Sequence, residues 1–87
     1  MTSRLIVVHR HECELCDEML TELAALAQTV EMPPIEVRDV DADPQLTRRF
    51  GLNVPVLLLD ETVVCRHHLD ADELKRLLRR THARSAS

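Results

Sequence analysis

The sequence predicts an α/β domain built on a mixed four-stranded sheet, strand order 2-1-3-4, with three helices spread over both faces. Three observations lead there. Leu5-Ile6-Val7-Val8 is a continuous apolar run rich in β-branched residues, the pattern of a central strand covered on both sides. Downstream, segments with helical spacing of apolar residues alternate with short β-type runs, giving the order β-α-β-α-β-β-α. A parallel β-α-β unit requires a right-handed crossover, and a terminal hairpin completes the same sheet.

Each element has a local cause. His9 to Glu12 is a polar loop after the first strand. From Cys13 to Gln28, Leu15, Met19, Leu20, Leu23, Leu26 and Ala27 recur at helical spacing. Asp17, Glu18 and Glu22 fall largely on the other side of that helix. Met32-Pro33-Pro34 breaks the chain. Ile35-Glu36-Val37-Arg38 alternates as a second strand, and Val40 extends its apolar pattern. Asp43-Pro44 supplies a helix N-cap with proline at the first helical position. That short helix runs through Leu46 and Phe50 to Gly51, the one glycine of the chain, which is expected to be a left-handed C-terminal cap. Val54 to Leu59, Asp60-Glu61 and Thr62 to Cys65 read as a hairpin. Asp-Glu is not a favoured two-residue turn pair, so a longer turn is expected. Asp70 and Glu73 have capping-box spacing, and Leu69 can staple to Leu74. Leu74, Leu77 and Leu78 form the last buried stripe, while Lys75, Arg76, Arg79 and Arg80 face solvent. The expected organisation is one domain over residues 1–80 and a frayed tail over 81–87.

Composition excludes several classes of function. The chain has no Trp or Tyr and one Phe, so it lacks platforms for stacking bases. Its net charge of -4 disfavours binding to a phosphate backbone. No apolar run is long enough for a membrane span, and Met1 to Leu5 carries no signal-peptide pattern. The expectation is a cytoplasmic monomer that engages neither nucleic acid nor membrane. In that compartment a close cysteine pair is catalytic, redox-sensing or metal-binding rather than structural.

Cys13-Glu14-Leu15-Cys16 is such a pair, at the start of the first helix. Two cysteines three apart on a first turn have sulfurs close enough to oxidise. The positive end of the helix favours the thiolate of the first, and the second can resolve a mixed disulfide. His9 and His11 lie beside the pair, and His67 and His68 follow the fourth strand, so a zinc site is an alternative use. Arg10 and His11 would favour a Cys13 thiolate, while Glu12 and Glu14 would oppose it. Cys65 reads as a small packed hydrophobe. Asp39, Asp41 and Asp43 read as solvated loop acids plus a helix cap, since no further acids follow at calcium-loop spacing.

This element order, with Cys13-x-x-Cys16 after the first strand, the Asp39-Val40-Asp41 segment and Val54-Pro55 leading into the third strand, resembles the thioredoxin fold. The small size resembles glutaredoxins, and in particular the small bacterial glutaredoxin-like proteins, over Leu5 to about Arg80. The resemblance implies that Cys13 is the nucleophile, Cys16 the resolving cysteine and Pro55 a cis-proline facing the disulfide. It also implies that Arg10, Val54 and Pro55 bind substrate, with Arg10 at a position where many glutaredoxins hold the glutathione carboxylate. The implied activity is dithiol–disulfide exchange on a disulfide-bonded protein or on glutathione, with glutathione as a reductant and no bound cofactor or metal. The alternative is a non-catalytic module of the same fold that binds a partner protein or zinc through the cysteine pair. Two departures stand out. Glu14-Leu15 replaces the Pro-Tyr or Gly-Pro between the cysteines of the familiar families. Arg66-His67-His68 occupies the place where glutaredoxins carry a Gly-Gly turn that holds glutathione. Weak activity on glutathionylated substrates is therefore expected, with a protein disulfide preferred.

Overall fold

Four consecutive buried residues make Leu5–His9 (β1) the centre of the molecule, because a strand apolar on both sides must be covered on both sides. The computed structural model describes residues 3–86, with side chains described as far as Arg80. After β1 come Glu14–Leu26 (α1), Ile35–Asp39 (β2), a 3-10 turn at Val40–Ala42, and Pro44–Phe50 (α2). Val56–Leu59 (β3), Thr62–Arg66 (β4) and Ala71–Ala86 (α3) complete the chain. The sheet order is β2-β1-β3-β4, as expected, with β1 parallel to β2 and antiparallel to β3, and β3 antiparallel to β4. Among the described residues, no helix is long and apolar enough to cross a membrane.

Strand periodicity sorts the core into two layers. Leu5, Val7, Leu57 and Leu59 point to one face and pack with Met19 and Leu23 of α1 and Leu74 of α3. Ile6, Val8, Val56 and Leu58 point to the other and pack with Val40 and Phe50. Each fully buried Leu or Met contributes about 2 kcal/mol of apolar transfer.

The structure departs from the sequence expectations at four places. Gly51 is right-handed, at φ -54 and ψ -28, not a left-handed cap. Its need is for space: a Cβ there would lie 2.5 Å from the Thr47 carbonyl oxygen. The hairpin turn is only Asp60-Glu61, since Leu59 pairs with Thr62. Asp60 takes φ 55, a conformation aspartate tolerates, and is fixed to β1 by two bonds. Its N–H donates to the Arg4 carbonyl at 2.9 Å, and its carboxylate accepts the Arg4 N–H at 3.1 Å. The pairing of β3 with β4 shifts between Leu57 and Leu58, leaving Val64 as a bulge.

The capping box is half formed. Asp70 Oδ1 accepts the Glu73 N–H at 3.0 Å, but the Glu73 carboxylate turns to Arg76, which grips it at 2.6 and 3.0 Å. A two-point charged bond outcompetes a single backbone donor. Finally, α3 continues through Ala86, past its expected end at Arg80. No Gly or Pro interrupts residues 81–86, and Ala83 and Ala86 favour propagation. Ser87, the end of the expected tail, lies outside the described residues.

Candidate active site

β1 delivers the chain to a tight loop in which Glu12 takes φ 56. That reversal sets Cys13 at the N-cap of α1, extended at φ -115 and ψ 106. Its Sγ accepts the N–H of Cys16 at 3.2 Å, so the sulfur takes the place usually held by a Ser or Asp cap oxygen. Cys13 and Cys16 are joined by a disulfide with their Cα atoms 5.2 Å apart, a separation that needs no backbone movement. The two are unequal. Cys16 is fully buried, like Met19 one turn on, whereas Cys13 is partly exposed.

The two basic residues nearest Cys13 in sequence, Arg10 and His11, are directed elsewhere. Arg10 Nε and Nη2 grip Asp41 Oδ2 and Oδ1 at 3.0 and 3.2 Å, and Nη1 donates to the Gly51 carbonyl at 3.0 Å. These bonds raise the affinity of Arg10 for its proton and hold the Asp41 carboxyl below the usual carboxylate range. His11 Nε2 lies 3.3 Å from Asp39 Oδ2, and its ring meets that of His9 edge-on at 5.5 Å. The hydrogen bond that Cys13 Sγ receives comes from the first turn of α1.

The Val54–Pro55 peptide bond is cis. The last β1–β3 pair is Val8 with Val56, so Val54-Pro55 enters β3 at the end of β1 from which the chain runs on to Cys13. The Pro55 carbonyl accepts the His67 N–H at 2.7 Å, which brings the end of β4 to the same edge, with His67 at φ 68. Among the described residues, no group of three His, Cys, Asp or Glu is placed to hold a metal ion. Cys65, on β4, is half-buried and accepts the Asp70 N–H at 3.5 Å. Burial pushes its thiol up from the ordinary cysteine value.

Sequence reasoning singled out Arg10, Cys13, Cys16, Val54 and Pro55; the strand register carries the last four toward one end of the sheet, and Arg10 turns to Asp41 and Gly51. That reasoning missed Asp41, which had read as a loop acid, and the Gly51 carbonyl. The available signal was the parallel pairing of β1 with β2. His9 pairs with Asp39, so Arg10 and Asp41 leave the sheet side by side with opposite charge.

With this geometry in place, comparison with known proteins is decisive at the level of the family. The family model of the glutaredoxin-like domain (DUF836) matches residues 4–79. The chain belongs to this family. Among solved structures, this glutaredoxin-like domain superposes on protein Ne2328 from Nitrosomonas europaea with a TM-score of 0.78 at 30% identity, covering 88% of this chain and 92% of that one. Protein XcR50 from X. campestris matches at 30% identity and TM-score 0.62, over 85% of this chain and 93% of that one. Thioredoxin 1 from Thermosipho africanus TCF52B shares the fold, with TM-score 0.63 and 21% identity over 97% of this chain and 99% of that one. No curated protein matches the chain significantly.

Proposed function

We propose that this glutaredoxin-like domain catalyses dithiol–disulfide exchange in a reducing, cytoplasmic setting, with protein disulfides as its preferred substrates. The carrying observation is the asymmetric pair: Cys13 partly exposed at the N-cap of α1, Cys16 buried beneath it and joined to it. In the reduced protein, the first-turn N–H groups and the helix dipole favour a Cys13 thiolate over its thiol. That thiolate attacks one sulfur of the substrate disulfide. A Cys13–substrate mixed disulfide forms and the other substrate sulfur leaves as a thiolate, taking a proton from solvent. Cys16, once deprotonated, attacks Cys13 Sγ and releases the second substrate thiol. The substrate gains two electrons, the protein ends as the Cys13–Cys16 disulfide, and two equivalents of an external thiol such as glutathione return it to the dithiol, leaving as their own disulfide. Val54 and Pro55 would present their backbone as an edge for an extended substrate segment.

The preference for protein over glutathione rests on the end of β4. The His67 N–H at that edge is already engaged by the Pro55 carbonyl, and Arg66, His67 and His68 are exposed, bulky neighbours. A side-by-side turnover assay on a disulfide-bonded protein and a glutathionylated small molecule tests the reading. Faster turnover of the protein disulfide is expected. Failure of both cysteines to cycle between alkylatable and protected forms would sink the exchange reading itself.

A further inference from the structure

Three segments converge at Arg10, and its one side chain bonds from the first to the other two. Arg10 lies in the redox loop, three residues before Cys13. Asp41 lies in the 3-10 turn after β2, and Gly51 ends α2, three residues before Val54. The guanidinium spends three N–H groups on this junction, two on the Asp41 carboxylate and one on the Gly51 carbonyl. The planar fork fixes direction as well as distance, which a single ammonium does not. The acceptor is itself constrained. Gly51 N–H donates to the Thr47 carbonyl at 2.9 Å, and only a residue without Cβ fits against that carbonyl. Asn53 N–H in turn donates to the Phe50 carbonyl at 2.8 Å, so the segment from Gly51 to Val54 hangs from the end of α2.

We propose that Arg10 is a positioning residue, clamping the redox loop to Asp41 and Gly51 so that Cys13 and the Val54-Pro55 edge stay in fixed relation for an extended disulfide-bearing peptide. The proposal rests on the exchange reading above and assigns Arg10 a role other than gripping a substrate carboxylate. The clamp leaves the chemistry of the sulfur alone. It governs whether the substrate backbone and the substrate sulfur can be met at once. Misplacement of reacting groups by about 1 Å costs up to roughly 100-fold in rate, so loss of the clamp is expected in kcat/KM on peptides.

The test compares Arg10→Ala, Arg10→Lys, Asp41→Ala and the double variant Arg10→Ala/Asp41→Ala in the full chain. Three measurements are made: exchange with a neutral peptide containing one disulfide, exchange with a glutathionylated small molecule, and iodoacetamide alkylation of reduced Cys13. Arg10→Ala and Asp41→Ala should each lower kcat/KM on the peptide by about 10-fold or more, mainly through KM. The double variant should be no worse than either single one, because both break the same unit. Arg10→Lys should not rescue, and alkylation should stay within about twofold of the parent, since it needs only the thiolate.

Two results overturn the proposal. In one, Asp41→Ala matches or exceeds the parent while Arg10→Ala loses only the anionic substrate, which makes Arg10 a substrate-binding charge. In the other, alkylation falls in step with exchange, which makes Arg10 act on the sulfur. Hydrogen exchange of the Asn53 and His67 amides gives a readout independent of activity. Both should lose protection in Arg10→Ala and in Asp41→Ala, and unchanged protection also overturns the clamp. If the parent exchanges neither disulfide yet these amides respond, the exchange reading fails and the clamp stands as structure alone.

Discussion

Cys13 and Cys65 carry the same local motif and differ in what surrounds it. Each sulfur lies just before a helix and accepts one backbone N–H, from Cys16 at 3.2 Å and from Asp70 at 3.5 Å. Cys13 is itself the cap of α1, so the first-turn N–H groups point at it and solvent reaches it. Cys65 stands one step back, on β4, and meets only the N–H of the capping residue. The Asp70 carboxylate lies beside it, and the half-buried setting disfavours charge. Under the exchange reading, a hydrogen bond to sulfur does not by itself separate the two, and the neighbouring charge does: a helix N-terminus at Cys13, the Asp70 carboxylate at Cys65.

The largest effect should come from removing Cys13. Cys13→Ser should reduce exchange by roughly 1,000-fold or more, to the uncatalysed background, because no other sulfur occupies a helix cap open to solvent. Cys16→Ser should instead accumulate mixed disulfides on Cys13, visible as mass adducts removed by reductant. If Cys65 acquired those adducts, the contrast between the two sites would collapse.

Removing Cys65 should be mild by comparison. Cys65→Ala should leave turnover within about twofold and cost about 1 kcal/mol of stability, since Asp70 N–H loses a weak acceptor in a half-buried place. The pH profile sharpens the point. Burial and the Asp70 charge both raise the Cys65 thiol, so its thiolate fraction at a given pH is below that of an ordinary cysteine. Alkylation of Cys65, followed by peptide mapping, should therefore begin at higher pH than that of an unfolded control. Asp70→Asn keeps a good helix cap and removes the charge, so the profile should move down in pH with little change in Tm. Asp70→Ala should also lose the cap, at about 1 kcal/mol.

What was legible in the sequence follows the range of the interactions. The Leu5–Val8 strand, the Asp43-Pro44 start of α2 and the start of α1 at the cysteine pair are set by neighbours along the chain, though Cys13 is the N-cap of α1 rather than part of its first turn. Asp43 does accept the Gln45 N–H, at 2.8 Å. Arg10 was different. Its partners lie 31 and 41 residues away, and reading its role requires the strand register first. Gly51 misled for another reason. A glycine after a helix has two physical uses, positive φ and close approach, and sequence does not separate them. At Asp70 the spacing to Glu73 was right, but Arg76 competes for the same carboxylate three residues on.

That competition gives the smallest and most specific test of the Cys65 environment. In a complete capping box the Glu73 carboxylate would accept the Asp70 N–H. Here Arg76 holds the carboxylate, keeping Glu73 below the usual carboxylate range, and Cys65 Sγ takes the vacant donor. Arg76→Ala releases Glu73. The freed carboxylate can then reach the Asp70 N–H and displace the sulfur. Two consequences for Cys65 share a sign. Losing the N–H removes the one interaction that lowers its thiol, and a second carboxylate draws nearer. The alkylation profile of Cys65 should therefore move to higher pH. Helix content should hold, because the exposed Glu73–Arg76 pair contributes little to stability and the completed box offsets its loss. A downward shift would mean that the Asp70 N–H never supported the Cys65 thiolate, and that burial and the Asp70 charge alone separate Cys65 from Cys13.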